Sequence, residues 1–441
     1  MSRMMLKARG RGAAARRAVA VILGPVVLSL VASGCVPADS TPVLTWYTTS
    51  DDGGQAVLAA QCTQAAQGAY RIRTSGLPTS ADAQREQLAR RLAASDTSMD
   101  IMSLDPPFIP EFAEPGFLAP VPSDIAARTT AHSLAGAKAG ASWKGELVAI
   151  PFWANTQLLW YRKSVARKAG LDMSQPVSWE QLMDAAQSQD KYLGVQGKRG
   201  ESMTVWVNAL IKGAGGEILA NPEAKPRDLS LGLDSPAGTE AARIVSRIGR
   251  QALGGPGLPT ASENESMLLF QGAKGSFMVN WPFVWPAMNA AVKAGNLNES
   301  LPDDIGWAPY PQTVAGTPSA PPLGGIDLGV GSASKHPDLV YRAIECIVSP
   351  QNQTEYFLGN GNPPADSTAY EDPRVAEQFP MAPLIRDSLE TSAPRPQTPY
   401  YSEVSTALQR YWAPPGDVDP ATTPRLTGEF ILQVLHGERL L

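Results

Sequence analysis

The stretch Phe277-Met278-Val279-Asn280-Trp281-Pro282-Phe283-Val284-Trp285 brings three large rings close together near its end. Its first three residues read as an apolar strand, which Asn280 and Pro282 break. Pro282 suits the first turn of a helix, where a missing N–H costs little. Trp281, Phe283 and Trp285 therefore belong to an exit loop and the helix start after it. Such rings either join the core or form a platform for a flat apolar ligand face, such as the C–H face of a pyranose ring, because an aromatic body with a polar edge suits that contact. Two carboxylates stand at element ends that could serve beside the platform: Asp105 closes an apolar run before Pro106-Pro107, and Glu263 opens a helix. Carboxylates about 5–10 Å apart can cleave a glycosidic bond by acid–base chemistry, so a secreted glycoside hydrolase using Asp105 and Glu263 is one function to weigh. Against it, nothing in the sequence marks an acid of raised pKa, and His132, His336 and His436 are scattered. With no CxxC and no paired Cys/His spacing, neither a zinc site nor any other metal or cofactor is expected.

The elements that must position these residues alternate in type. Val43–Tyr47 reads as a strand ending in a polar turn, followed by a helix over Gln55–Gln67. Asp51, in that turn, either caps the helix or meets a ligand. Tyr70–Ser75 reads as a second strand, Ala81–Ala94 as a helix with Gln84 in its first turn, and Asp100–Asp105 as a third strand. This alternation argues for a parallel α/β sheet, with Asp105 at a strand's carboxyl end. After the strand Glu146–Pro151, the segment Phe152–Arg162 is two strand-like runs joined by a polar break. A chain passing between two lobes has this pattern, with Asn155 near the crossing. Capping boxes at Ser178 and Ser262 open two helices, and Gly272 ends the second. Glu263 then lies in a first helical turn, where favourable charge with the helix dipole is its commoner role. Ile305–Ala308 and Ile326–Val330 read as strands. Gly324-Gly325 before the latter either lets backbone approach a ligand closely or makes a plain turn. A helix over Pro337–Val348 carries Cys346, Arg395 sits between two prolines on a stiff loop, and helices follow over Tyr400–Trp412 and Leu426–Leu435.

The first residues set the compartment. Six basic residues from Arg3 to Arg17, an apolar run from Ala18 to Val31, and then Ala32-Ser33-Gly34-Cys35 have the order of a secretory signal. The run is too short for an ordinary spanning helix. Small residues directly before a cysteine resemble a bacterial lipobox, which makes residues 1–35 a signal peptide, Cys35 the lipidated first residue of the mature chain, and 36–42 a tether. Export to the outer face of the cytoplasmic membrane, held there by lipid alone, is the expected location. Removing the six leader cations from 37 Lys and Arg leaves 31 against 42 Asp and Glu. A mature charge of about −11 argues against nucleic acid or an anionic membrane surface as partner. The 441 residues, 43% hydrophobic and 18% charged, with 39 Gly and 39 Pro, fit a globular α/β chain of two or three domains with many loops. Cys62 and Cys346 remain as either a disulfide, which export permits and which we favour, or two buried thiols.

In this order, four segments resemble the extracellular solute-binding proteins of ABC sugar importers, of the maltodextrin-binding type. They are Asp100-Ile101 with Glu111-Phe112-Ala113 and Gly116-Phe117-Leu118; Gly145–Ile150 with Tyr161-Arg162; Phe270-Gln271-Gly272 with Asn280-Trp281-Pro282; and Gly324-Gly325 with the Ser334–Val348 helix. Arg85–Leu92, Asn155–Arg162, Asn280–Val284 and Arg395 before Thr398-Pro399 are more similar to the trehalose-binding lipoproteins of actinobacteria within it. The resemblance implies a two-lobe periplasmic-binding-protein fold, type II-like. Lobe 1 would be built from 43–152 and 305–350, lobe 2 from 153–304 and 351–441, joined by hinge crossings. It implies a non-enzymatic, monomeric protein that delivers a disaccharide, most closely trehalose, to permease subunits; maltose or another glucoside is the alternative. Ligand contacts would fall at Gln84, Asp105, Asn155, Glu263, Trp281, the Gly324-Gly325 backbone and Arg395, with Asp51 as a further candidate and Phe283 and Trp285 as secondary aromatics.

Overall fold

The computed structural model describes residues 41–51 and 53–441. The expected leader, Cys35 and most of the expected tether lie outside them. Among the described residues, eleven strands form three sheets: β1 Val43–Thr48, β2 Arg71–Gly76, β3 Ile101–Leu104, β4 Ser142–Trp143, β5 Glu146–Leu147, β6 Ile150–Thr156, β7 Leu158–Arg162, β8 Tyr192–Gly194, β9 Gly275–Asn280, β10 Ile305–Ala308 and β11 Leu323–Val330. The first main sheet has the order β2-β1-β3-β11-β6, the second β10-β7-β9-β8, and β4 and β5 form a small hairpin.

In the first sheet β1, β2 and β3 are parallel, joined through the helices Gly54–Ala65 and Ala81–Ala93, as their alternation in sequence requires. β11 runs antiparallel to both β3 and β6, so the sheet as a whole is mixed. Successive side chains of β1 feed opposite faces. Leu44 and Trp46 enter a core with Leu58, Cys62 and Ile344, while Tyr47 enters one with Leu88, Met102 and Phe112. The second sheet is covered by the helices Trp179–Ser188, Glu201–Gly213, Pro236–Arg250, Tyr401–Trp412 and Thr423–Leu435, whose apolar stripes make the largest core. The two main sheets define two α/β lobes.

The chain crosses between them at Gln157. Asn155 on β6 pairs with Gly324 in the first sheet, and Leu158 on β7 pairs with Asn280 in the second. A third core, with Ala154, Leu158, Trp160, Phe357 and Ile385, packs around this crossing.

Two expected lobe boundaries move. β10 pairs with β7 in the second sheet, not the first, because Ile305–Ala308 align antiparallel with Leu159–Arg162. The helix Pro350–Asn360, expected with lobe 2, belongs to lobe 1: Tyr356 stacks on Trp153 at 5.2 Å between ring centroids and lies 5.0 Å from the Phe152 ring. Cys62 and Cys346 form a disulfide across 284 residues of sequence. It ties the helix after β1 to the helix Pro337–Ile347 after β11, so it joins the two chain segments from which the first lobe is built.

Candidate functional site

A cleft of about 860 Å³ opens between the lobes. Its position follows from strand direction. β1, β2 and β3 all point their carboxyl ends at it, and the loops that leave them bring Thr49-Ser50, Thr79–Gln84 and Asp105 to its wall. β6 brings Asn155 and β11 brings Gly324-Gly325. The second lobe contributes Lys198–Ser202 after β8, Ser262–Asn264 at a helix start, and Trp281 after β9. Arg395 and Gln409 come from the C-terminal return of the chain.

At the centre is an ion-pair cluster. Arg395, only 4% exposed, donates from Nη2 to Asp105 Oδ1 (2.5 Å) and from Nη1 to Asp105 Oδ2 (3.2 Å). Nη1 also donates to Glu201 Oε1 at 2.6 Å. Glu201 accepts further hydrogen bonds from the Tyr401 hydroxyl and from Ser405 Oγ (2.6 Å). Burial pushes the Glu201 carboxyl above its ordinary pKa against the pull of Arg395, and the two nearby carboxylates hold the guanidinium firmly charged despite its burial. Behind the cluster, Asp327 on β11 is 1% exposed, and its Oδ2 has no partner. Burial first, and the charge of Asp105 second, push the Asp327 carboxyl well above its ordinary pKa.

Asn280 organises the aromatic side. Fully buried, it accepts from the Trp281 backbone N–H (2.9 Å) and donates to the Glu263 carbonyl (2.9 Å) and Ser266 Oγ (3.1 Å). One amide thus fixes both the Trp281 turn and the helix Glu263–Gln271. Trp281 lies against the first lobe: a Cβ on Gly324 would stand 3.0 Å from the Trp281 ring. Gly325 has φ +140°, and a Cβ there would be 2.3 Å from the Trp153 carbonyl oxygen. Both glycines lie within the strand β11, not in a turn: Gly325 is required by backbone packing, whereas Gly324 makes room for the Trp281 ring. Glu263 accepts from Ser202 Oγ at 2.6 Å, and Gln84 donates its amide to the Pro78 carbonyl at 2.7 Å.

Of the residues singled out from the sequence, Gln84, Asp105, Asn155, Glu263, Trp281, Phe283, Gly324, Gly325 and Arg395 all line the cleft. Asp51 does not. Its carboxylate accepts from the backbone N–H groups of Gly53 (3.0 Å) and Gln55 (2.7 Å) and from the Tyr356 hydroxyl (3.2 Å), so it closes the turn before the first helix and satisfies an N–H in that helix's first turn, while Gly53 is the N-cap residue. Trp285 points away from the cleft: its indole donates to the Gln378 carbonyl and packs edge-on against Trp307. Missing from the sequence reading were Glu201, Trp153, Asp82 and Gln409, which also line the cleft. A Gly200-Glu201 helix start before the apolar run Val205–Ile211 was the available signal for the first of these.

Comparison with known proteins defines the class. The bacterial extracellular solute-binding protein family matches residues 68–354, and the chain belongs to that family. It is a family of binding proteins, and the hydrolase reading is set aside. A probable ABC transporter-binding protein of Deinococcus radiodurans is 27% identical over 281 residues, 60% of this chain and 63% of that protein. A probable amino-acid ABC transporter periplasmic-binding protein of Sinorhizobium fredii is 24% identical over 256 residues, 56% and 53% of the two chains. The chain thus spans less than two thirds of the length of either relative. Among solved structures, maltose-bound T. maritima MalE3 superposes with a TM-score of 0.76 at 25% identity, over 90% of this chain and 100% of that one. The acarbose-binding GacH receptor of Streptomyces glaucescens gives 0.73 at 20% identity, over 91% and 100%; at that identity the likeness is one of fold.

Proposed function

We propose that the protein captures a neutral disaccharide in the cleft, outside the membrane, and delivers it to the permease subunits of an ABC importer, with trehalose as the ligand and Cys35 as its lipid anchor. The observation that carries the reading is the pairing of an indole surface with a polar cluster in one cleft. Trp281 offers a ring face, while Asp105, Arg395, Asn155, Gln84 and Glu263 offer the donors and acceptors that paired hydroxyls need. The central charges are already matched to one another, so an uncharged ligand fits better than an ionic one. A ligand lacking the hydroxyls that these buried groups require is discriminated against strongly. Contacts from both lobes favour the closed state, and closure is a hinge motion about the Gln157 crossing.

Maltose is the second reading, favoured by the likeness to a maltose-bound protein at a TM-score of 0.76. Isothermal titration calorimetry of the mature chain, with Cys35 removed, against trehalose, maltose and glucose separates the two. One-to-one trehalose binding with little maltose response supports the first, and the reverse supports the second. Silence with all three refutes the sugar reading.

A further inference from the structure

The sequence reading leaves Glu201 without a role, yet it is a charged group buried in the cleft against Arg395. Its side chain is 11% exposed, and a carboxylate so buried is retained only where its oxygens are used. Both are. Oε1 accepts from Arg395 Nη1 and from the Tyr401 hydroxyl, and Oε2 accepts from Ser405 Oγ. Three protein donors thus hold the carboxylate in one orientation.

Resting on the sugar-binding reading, we propose that Glu201 is a positioning residue: it fixes the Arg395 guanidinium from the second lobe, as Asp105 fixes it from the first, and so presents the remaining Nη2 N–H to a ligand hydroxyl. Asp105 takes one N–H from each Nη atom, end on. Glu201 takes the second N–H of Nη1. What remains of the five donors is the second N–H of Nη2 and the N–H of Nε, and Nε is buried without a partner. These two lie side by side on one edge of the planar group; Nε is closed off by protein, which leaves the second N–H of Nη2 as the donor for a ligand hydroxyl. A guanidinium anchored on two sides loses its rotamer freedom before ligand arrives, which is where preorganisation raises affinity. Glu201 also begins the helix Glu201–Gly213. Its negative charge lies between the positive helix end and Arg395, where the bare cation would be repelled.

A double-mutant cycle in sugar affinity tests this. Calorimetric Kd values are measured for wild type, Glu201→Ala, Arg395→Ala and the double variant, with the disaccharide that the wild type binds. Glu201→Ala is expected to weaken binding by about tenfold on its own and by less than about twofold in the Arg395→Ala background, because its effect passes through the guanidinium. Equal losses in both backgrounds overturn the proposal and make Glu201 a structural or directly contacting residue. Should Glu201→Ala fail to fold, Glu201→Gln enters the same cycle. It keeps an acceptor for Arg395, should lose less affinity than Arg395→Ala, and should again have no further effect once Arg395 is gone. Wild-type affinity for Arg395→Ala, or no binding by the wild type, refutes the sugar site itself and this role with it. Additive losses with binding intact refute only the role.

Discussion

The Gly324-Gly325 pair offers a sharp test of how the cleft floor is built, because the two glycines are adjacent yet constrained by different neighbours. At Gly324 a Cβ would stand 3.0 and 3.1 Å from two atoms of the Trp281 ring. The contact is tighter than normal by a few tenths of an ångström, and the ring can shift to relieve it. Gly324→Ala is therefore expected to cost about 1 kcal/mol of stability, the low end of overpacking. It should weaken sugar binding because the platform is displaced. At Gly325 the added Cβ would be 2.3 Å from the Trp153 carbonyl oxygen and 3.1 Å from Ala154 Cα, both backbone, and φ is +140°. Neither neighbour can move without parting β11 from β6. The dihedral strain alone costs about 1–3 kcal/mol, and the clash adds at least as much as overpacking does, roughly 1–3 kcal/mol more. A total of about 2–6 kcal/mol corresponds to a fall in Tm of roughly 4–24 °C for lobes of this size. Thermal melting followed by calorimetry on both variants is the assay. A Gly325→Ala protein that melts within about 2 °C of wild type would show that the strand does not need glycine there. A Gly324→Ala protein with unchanged sugar affinity would show that the Trp281 contact does not shape the site.

Three further outcomes are expected. Asp51→Ala should lose about 1 kcal/mol of stability, the usual cost of removing a helix cap, while sugar affinity stays the same; a large loss of affinity would return Asp51 to the cleft. The raised pKa of Asp327 gives a pH dependence of definite sign. The folded protein retains a proton there that the unfolded chain releases near the ordinary carboxylate value, about 3.9. Stability from this group is thus full below that value and is lost as pH rises toward the raised folded value. Melting curves between pH 4 and 8 should show wild-type Tm falling more steeply with pH than that of Asp327→Asn, and parallel slopes would contradict the raised pKa. Reducing the Cys62–Cys346 disulfide, or replacing both residues with Ser, should cost about 2–5 kcal/mol, read as a lower denaturation midpoint by chemical unfolding; an unchanged midpoint would mean that the two segments of the first lobe hold together without it.

How much of this was legible beforehand depends on the range over which each signal acts. The strands β1, β3, β9 and β10 follow local apolar runs, β2 follows the alternation of Tyr70, Ile72 and Thr74 with arginines, and the helices at Ser178 and Ser262 follow their caps, because such signals operate within a few residues. Asp105, Glu263 and Trp281 could be placed at element ends for the same reason. Whether Trp281 and Trp285 face a cleft or a core was a different matter, since the two rings share a segment and composition and only packing against Gly324 and Trp307 separates them. Asp51 could be read as cap or contact until the N–H groups of Gly53 and Gln55 were seen to consume its oxygens. β10 was assigned to the wrong sheet because nothing within Ile305–Ala308 records that its partner is Leu159–Arg162, more than a hundred residues away. Glu201 was passed over because its meaning lies wholly in Arg395, Tyr401 and Ser405, each distant in sequence. The chain by itself determined the elements, their ends and the types of residue at those ends, since propensity, capping and periodicity are local. Strand partners, the joining of Cys62 to Cys346, and the convergence of Asp105, Glu201 and Arg395 were decided only by tertiary structure, since burial and ion pairing depend on which distant residues the fold brings together.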